Sequence, residues 1–206
     1  MDNDFEDALR FVLRWEGGLA NIPGDHGGRT MKGVTQTVFD GWRANKGLVP
    51  TDVAQISDEE LGAIYESNYW EKSSCDVLRA HLNLVEFDTA VNMGPVRAIK
   101  ILQQAVNVGA DGAFGPATQQ ACNTCDVPAS VARYCSIRES LYRHFAEAPG
   151  QEKFLAGWLN RLNDLRVAAG VSGFFPRRGG EADFGDADYI ERIPDLAPDT
   201  PLEPWR

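Results

Sequence analysis

One glutamate, Glu16, stands where an apolar helix is predicted to end and a glycine-rich segment begins. The apolar residues before it recur at spacings of three and four, which is typical of one buried helix face: Phe5, Leu9, Val12 and Leu13. Glu16 follows Val12 by four residues, so we expect its side chain to project from that face. Partial burial and the negative end of the helix dipole both disfavour a charged carboxyl group, so we expect a raised pKa for Glu16. A carboxylic acid that stays protonated near neutral pH can protonate a leaving oxygen in glycosidic cleavage.

The segment that follows Glu16 is dense in residues that favour turns. Six glycines and one proline fall within 17 residues: Gly17, Gly18, Gly24, Gly27, Gly28, Gly33 and Pro23. Such density indicates tight turns, or a close approach of the backbone to a ligand. Asp25, Thr30 and Thr35 place polar groups in the same segment. Together these residues predict a glycosidase site beside a buried acid, and the alternative is a solvated glutamate at a helix end.

Several ordered motifs carry a resemblance to a known family. They are Glu16-Gly17-Gly18, Asp25-x-Gly27-Gly28-x-Thr30, Gly33-Val34-Thr35, Asn68-Tyr69-Trp70 and Asp88-x-Ala90-Val91-Asn92-x-Gly94-Pro95. With these motifs the chain resembles the N-acetylmuramidases of glycoside hydrolase family 108, which are relatives of phage lysozymes. Two later motifs resemble the predicted peptidoglycan-binding region that follows in such proteins: Asp111-Gly112-x-Phe114-Gly115-Pro116-x-Thr118 and Gly157-Trp158-Leu159-Asn160-Arg161.

The resemblance implies a fold and a division of the chain. The expected fold is mainly α, of the lysozyme-like α+β kind, with a small glycine-rich β-hairpin at the active-site cleft. Residues 4–93 would form the muramidase catalytic region. Residues 94–170 would form a helical predicted peptidoglycan-binding region packed on it, and residues 171–206 a proline-rich, acidic tail that is extended or disordered.

The resemblance also implies an activity, which is cleavage of the β-1,4 bond between N-acetylmuramic acid and N-acetylglucosamine. The position of Glu16 is the catalytic acid in the family. Asp25 would stabilise the developing positive charge or orient the attacking water, and Thr30 would position that water or hold the hairpin. Glu16 and Asp25 keep the interval found in phage lysozymes, whereas Thr30 comes one residue early.

Two other functions remain open from the residues alone. A lytic transglycosylase would also use one glutamic acid, but it closes the sugar on its own hydroxyl group and needs no aspartate to orient water. A non-catalytic wall-binding or scaffold protein could keep a muramidase-like fold, because a fold does not imply a function. Asp25 favours hydrolysis over the first alternative, and the presence of Glu16 favours an enzyme over the second.

Ser57 and Glu60 predict a capping box, which opens a helix that carries several aromatic residues. Tyr65, Tyr69 and Trp70 could stack on the faces of sugar rings, but aromatic residues at helical spacing more often belong to a core. We interpret Tyr65 as a core residue and predict that Trp70 contacts the substrate.

Two further substrate contacts are predicted later in the chain. Asn92 lies one helical turn after Asp88 on a buried face, where a structural polar network is the alternative role. Trp158 lies on a broad apolar helix stripe and could border a glycan or peptide groove, with core packing as the alternative. Between these sites, Gly94 and Pro95 predict the end of one helix and the start of the next.

The charge of the chain limits its partners. The formal net charge is −10, which argues against nucleic acid and against electrostatic attraction to anionic membranes or wall polymers. Binding of peptidoglycan glycan strands would therefore depend on a local groove of hydrogen bonds and aromatic faces. We expect a monomer without a metal ion or an organic cofactor. Cys122 and Cys125 lack a second ligand pair, so we expect no metal or redox site there. The four cysteines are expected to be ordinary thiols, with one bridge formed after export as the alternative.

The start of the chain predicts where the protein is made. Met1-Asp2-Asn3-Asp4 is acidic and runs directly into an amphipathic helix, whereas a secretory signal needs a basic start and an apolar core. No apolar run approaches the ~20 residues that span a bilayer, so we expect no membrane insertion. We therefore expect synthesis in the cytoplasm and action on the cell wall, in the periplasm or outside the cell, after release by a holin-like pore, an export machinery or non-classical secretion.

Overall fold

A computed structural model describes residues 4–18, 20–21 and 29–172 of the chain. These residues divide into two compact units, an N-terminal unit of residues 4–72 and a C-terminal unit of residues 73–172. Asp25 and nearly all of the predicted tail lie outside the described residues.

The N-terminal unit is built from short helices and a small sheet. Its described elements are α1 (Asp4–Leu13), β1 (Ala20–Asn21), β2 (Arg29–Met31), β3 (Val34–Thr35), α2 (Gln36–Asn45) and α3 (Asp58–Tyr65). A short 3₁₀ turn at Val53–Gln55 precedes α3, and a π-helical turn at Glu66–Trp70 follows it.

Helix α1 packs against the unit through Phe11 and Val12, which are 5% and 0% exposed. It ends at Leu13, whereas the sequence predicted a helix that runs to Glu16. The difference arises because the last turn tightens: the Trp15 N–H donates to the Val12 carbonyl, three residues back, at 2.9 Å. Such tightened turns are common at helix ends, where carbonyl groups have lost their usual partners.

The sheet consists of three antiparallel strands in the order β1-β2-β3. Thr30 of β2 pairs with Ala20 on one side and with Thr35 on the other. Lys32 and Gly33 form the two-residue turn between β2 and β3, and their φ angles are 46° and 78°. Two successive positive φ angles are those of a type I′ hairpin turn, whose twist matches that of the strands. The predicted small hairpin in a mainly helical fold is confirmed.

Polar side chains fix this hairpin to the loop that follows α2. Arg29 of β2 donates to Asp52 Oδ2 at 2.5 Å. Gln36, the first residue of α2, accepts from the Val53 N–H and donates to the Thr51 carbonyl, both at 2.8 Å. The strand and the helix therefore share one anchoring loop, which limits movement of the turn at Gly33.

Helix α3 begins with the predicted capping box. Ser57 Oγ accepts from the Glu60 N–H, and Glu60 Oε2 accepts from the Ser57 N–H, both at 3.1 Å. After Tyr65 the backbone widens into the π-helical turn, in which the Glu71 N–H donates five residues back to the Glu66 carbonyl at 2.9 Å. Such turns are rare and occur frequently at functional sites.

The C-terminal unit is helical in its described residues. Its helices are α4 (Leu82–Met93), α5 (Pro95–Ala105), α6 (Pro116–Thr124), α7 (Val127–Ala146) and α8 (Leu155–Ala168). Gly94, with φ 87°, ends α4, and Pro95 opens α5, so the predicted break is confirmed. Throughout the described residues, every helix is too short or too polar to cross a membrane.

A buried ion network joins three helices of the C-terminal unit. Asp88 on α4 accepts from Arg138 of α7 at 2.6 Å and from Arg161 of α8 at 2.9 Å. The Asp88 and Arg138 side chains are 0% exposed and that of Arg161 is 3% exposed. Burial raises the pKa of Asp88, but the two guanidinium groups outweigh it and hold that pKa below its ordinary value. The charges are therefore paired, as burial requires.

Glu86 is a second buried carboxyl group on α4, and it has no guanidinium partner among the described residues. It is 0% exposed, and its Oε2 accepts from the Tyr134 hydroxyl at 2.9 Å. Burial raises the pKa of Glu86 well above its ordinary value, and the bond from Tyr134 offsets only part of this effect. The folded state thus favours the protonated acid. The stability that this proton contributes is fully present below the unfolded pKa of about 4.3 and is lost as the pH rises toward the folded pKa.

We therefore predict that Glu86→Gln makes stability less sensitive to rising pH, because the amide has no proton to lose. Between pH 5 and pH 8, the thermal unfolding midpoint of the wild type should fall by more than that of the variant. Glu152→Gln, at an exposed glutamate, is the matched control and should follow the wild type. The same pH dependence in all three proteins would contradict the assignment of a buried, neutral Glu86.

Candidate functional site

Glu16 lies in the turn that follows α1 and is largely buried. The Glu16 N–H donates to the Val12 carbonyl at 3.3 Å, so the helical hydrogen-bond pattern reaches this residue although the helix has ended. Glu16 is 9% exposed, and it is the only buried acid among the described residues of the N-terminal unit. The predicted partial burial of this carboxyl group is thus observed.

The carboxyl group of Glu16 lies directly against the backbone of the β2–β3 turn. A Cβ atom built on Gly33 would be 2.8 Å from Glu16 Oε2 and 2.5 Å from the Tyr65 hydroxyl oxygen. Real side chains do not approach this closely, so only glycine leaves room for both polar groups. Gly33 also has a φ of 78°, which independently favours glycine. The Glu16 carboxyl group can therefore contact the backbone of the turn because residue 33 has no side chain.

Two tyrosines complete the surroundings of the acid. Tyr65 is 1% exposed, and its hydroxyl donates to the Lys32 carbonyl at 2.8 Å. The Tyr69 ring lies 5.5 Å from the Tyr65 ring at an interplanar angle of 45°, and Tyr69 is half-buried. Burial raises the pKa of Tyr69, and the nearby negative charge of Glu16 raises it further, so its hydroxyl keeps its proton.

Of the other predicted catalytic residues, the structure places one. Thr30 is half-buried in β2, in the same hairpin as Gly33. Asp25 lies outside the described residues. The roles of both residues in catalysis stay predictions.

Trp70, a predicted substrate contact, lies at the end of the π-helical turn. It is 6% exposed, and its ring meets the Phe5 ring edge-on at 5.4 Å. This contact packs the end of the turn against α1. A contact between Trp70 and substrate stays a prediction, and it would have to use the small exposed part of the ring.

The structure brings Asn92 and Trp158 together in the C-terminal unit, around Tyr142. The Tyr142 hydroxyl donates to Asn92 Oδ1 at 2.5 Å, and its ring stacks on the Trp158 ring at 5.4 Å and 17°. Asn92 is 8% exposed and Trp158 is 2% exposed. The Tyr142 hydroxyl also accepts from Arg138 at 2.7 Å, which connects both residues to the Asp88 network. Their binding of substrate stays a prediction.

Sequence reasoning did not assign a role to Gly33 or to the hydroxyl of Tyr65. The spacing of Tyr65 within its helix indicates a core residue, and its ring is indeed buried. Its hydroxyl, however, bonds to a carbonyl 33 residues away in the chain, at Lys32. The only local signal was the glycine-rich segment to which Gly33 belongs, which indicated tight turns.

We predict that Gly33→Ala destabilises the protein more than Gly47→Ala does. The two glycines have similar φ angles of 78° and 69°, so alanine costs about 1–2 kcal/mol of backbone strain at either position. Only at Gly33 would the new methyl group overlap the Glu16 carboxyl and the Tyr65 hydroxyl, because Gly47 has no neighbouring atom within 4 Å. Urea unfolding of both variants measures the difference, and equal free energies of unfolding would contradict the close approach at Gly33.

Comparisons with known proteins show which protein families the chain is similar to. The family model of glycosyl hydrolase 108 matches residues 9–94, and that of the predicted peptidoglycan domain matches residues 97–163. None of the curated proteins matches the sequence. Among solved structures, the chain is similar to that of Brucella abortus SagA, with 29% sequence identity, a TM-score of 0.66 and coverage of 82% of this chain and 95% of that chain. The chain therefore contains, over residues 9–94, a region that matches glycosyl hydrolase 108, and it is a glycoside hydrolase that acts on peptidoglycan.

Proposed function

We propose that the enzyme is an N-acetylmuramidase that cleaves the β-1,4 bond between N-acetylmuramic acid and N-acetylglucosamine, with Glu16 as its general acid. The observation that carries the proposal is the placement of the Glu16 carboxyl group, which is 9% exposed and lies against Gly33 beside Tyr65. A glycosidase acid must stay protonated until it meets the leaving oxygen, and removal from water favours the protonated form.

In the proposed reaction, Glu16 transfers its proton to the glycosidic oxygen as the bond to the sugar carbon breaks. The electron pair of that bond stays on the leaving oxygen, and the sugar ring develops oxocarbenium character. Water then adds to the sugar carbon, and its proton passes to the Glu16 carboxylate, directly or through solvent. The product is a reducing N-acetylmuramic acid end, and the acid is restored. The half-buried Tyr69 has a raised pKa and keeps its hydroxyl proton, so it adds no negative charge to the surroundings of Glu16.

Two further residues receive roles in this proposal. Asp25 would remain a carboxylate, and would stabilise the positive charge on the ring or orient the attacking water. Thr30 lies in the strand that leads into the Lys32–Gly33 turn, so it would position water near the acid or hold the hairpin. Trp70 would contact glycan in the N-terminal unit, and Asn92 and Trp158 would bind glycan in the C-terminal unit.

The place of action is a further part of the proposal. We propose that the enzyme reaches the cell wall after synthesis in the cytoplasm, through a pore or an export machinery. The net charge of −10 would oppose long-range attraction to anionic wall polymers. Recognition of the glycan would then come from short-range hydrogen bonds and ring contacts.

We predict that Glu16→Gln folds normally and loses activity by about 100-fold or more, which is the usual contribution of a general acid. Glu71→Gln removes an exposed acid of the same unit and is the matched control, with activity expected to be unchanged. The measurement is mass spectrometry of the soluble products that each protein releases from purified peptidoglycan.

The products also decide the class of reaction. Reducing N-acetylmuramic acid ends from the wild type and from Glu71→Gln, but not from Glu16→Gln, are the expected result. Anhydro-sugar ends would identify a lytic transglycosylase instead. Substantial turnover by Glu16→Gln would show that another group supplies the proton.

A further inference from the structure

The hydroxyl of Tyr65 is buried and lies next to the proposed acid. Tyr65 is 1% exposed, so little water can reach this hydroxyl. Its oxygen and Glu16 Oε2 lie 2.5 and 2.8 Å from one point, the position that a Cβ atom of Gly33 would occupy. The hydroxyl and the carboxyl group therefore share one small volume above the turn. In such a water-poor volume each polar group depends on its protein neighbours for hydrogen bonds.

The hydrogen bonds available to Tyr65 limit what it can do for Glu16. A tyrosine hydroxyl has one proton to donate and lone pairs that accept. The Tyr65 proton is directed at the Lys32 carbonyl, 2.8 Å away. Toward Glu16 the hydroxyl thus presents a lone pair, which suits a protonated carboxyl group that has a proton to donate. After Glu16 has lost its proton, the same hydroxyl can turn its own proton toward the carboxylate.

We propose that Tyr65 is a positioning residue for the Glu16 acid, and that its hydroxyl turns between the Lys32 carbonyl and the Glu16 carboxyl group during the reaction. This inference rests on the proposed role of Glu16. In the free enzyme, the hydroxyl accepts the single proton of the carboxylic acid and holds the acid in place. When the glycan binds, this proton turns from the hydroxyl toward the leaving oxygen. When the Glu16 proton moves to the leaving oxygen, the hydroxyl donates to the new carboxylate. Tyr65 keeps its own proton throughout, so the proton balance of the reaction is unchanged.

The surrounding fold makes this exchange possible. Lys32 and Gly33 have positive φ angles of 46° and 78°, which turn the Lys32 carbonyl toward α3 within hydrogen-bond distance of Tyr65. The absence of a side chain at Gly33 leaves the space in which the hydroxyl and the carboxyl group meet. Rotation of one hydroxyl requires no movement of the backbone or of the tyrosine ring.

The test is the kinetics of Tyr65→Phe on soluble, uncross-linked glycan strands, with reducing ends counted over time. We expect kcat to fall about 10- to 100-fold, because a poorly oriented acid reacts slowly. We expect KM to stay unchanged, because Tyr65 is too buried to contact the substrate. A residue that acted only by stabilising the fold would leave kcat unchanged at a temperature well below the unfolding midpoint, which is measured for each variant.

Tyr134→Phe is the matched control. Tyr134 is also a buried tyrosine whose hydroxyl donates to a carboxyl group, Glu86, at 2.9 Å, but it lies in the C-terminal unit. Its loss should lower stability and leave kcat unchanged. Tyr69→Phe identifies which hydroxyl acts on the acid, because Tyr69 also lies near Glu16. A loss of kcat in Tyr69→Phe without a loss in Tyr65→Phe would overturn the proposal.

A second variant covers the case in which Tyr65→Phe does not fold. A difluorinated tyrosine at position 65 keeps the ring and the hydroxyl but makes the hydroxyl a weaker acceptor and a stronger donor, so kcat should change with KM unchanged. An unchanged kcat with this residue would overturn the role of Tyr65. Turnover by Glu16→Gln, measured alongside, separates the two claims. Activity of Glu16→Gln would contradict the proposed function. An inactive Glu16→Gln together with a fully active Tyr65→Phe would contradict only the role of Tyr65.

Discussion

The close approach of two polar side chains to the backbone of Gly33 is the constraint on which the site depends. The positions of Glu16 Oε2 and the Tyr65 hydroxyl exclude any side chain at this residue. The elements around it maintain this arrangement: the tightened end of α1 supplies Glu16, α3 supplies Tyr65, and the hairpin supplies the turn. Arg29, bonded to Asp52, fixes the hairpin from its other end. The acid is thus held by three elements that are far apart in sequence.

In the C-terminal unit, buried carboxyl groups are stabilised by hydrogen bonds and ion pairs with side chains of other helices. The guanidinium groups of Arg138 and Arg161 offset the cost of burying the Asp88 carboxylate, so this carboxyl group remains ionised. Glu86, on the same helix, has a tyrosine hydroxyl as its partner, and its proton is retained. Asn92 and Trp158 connect to the first of these groups through Tyr142. Any binding of glycan by these two residues would therefore be coupled to the packing of three helices.

Local sequence signals predicted the parts of the structure that depend on local interactions. The capping box of Ser57 and Glu60 needs only neighbouring residues, and it was found as predicted. The helix break at Gly94 was found for the same reason. The end of α1 was predicted three residues too late, because a tightened last turn has no distinct sequence signature.

The surroundings of Glu16 depend on contacts between distant residues, which periodicity does not reveal. Apolar spacing predicted that Glu16 faces the interior, and the residue is buried. The hydrogen bond from Tyr65 to the Lys32 carbonyl joins residues that are 33 positions apart in the chain. The spacing of apolar residues within one helix therefore identified only the core position of the Tyr65 ring. The π-helical turn at Glu66–Trp70 also has no sequence signal, although it fixes the positions of Tyr69 and Trp70.

The most direct test of the account is a crystal structure of the Glu16→Gln variant bound to a peptidoglycan tetrasaccharide. We predict that the glycosidic oxygen lies within about 2.6–3.2 Å of the side chain at position 16, the distance over which a proton is transferred. We also predict that this side chain still lies against Gly33. A bound glycan whose scissile bond lies beyond the reach of position 16 would contradict the central claim that Glu16 is the acid.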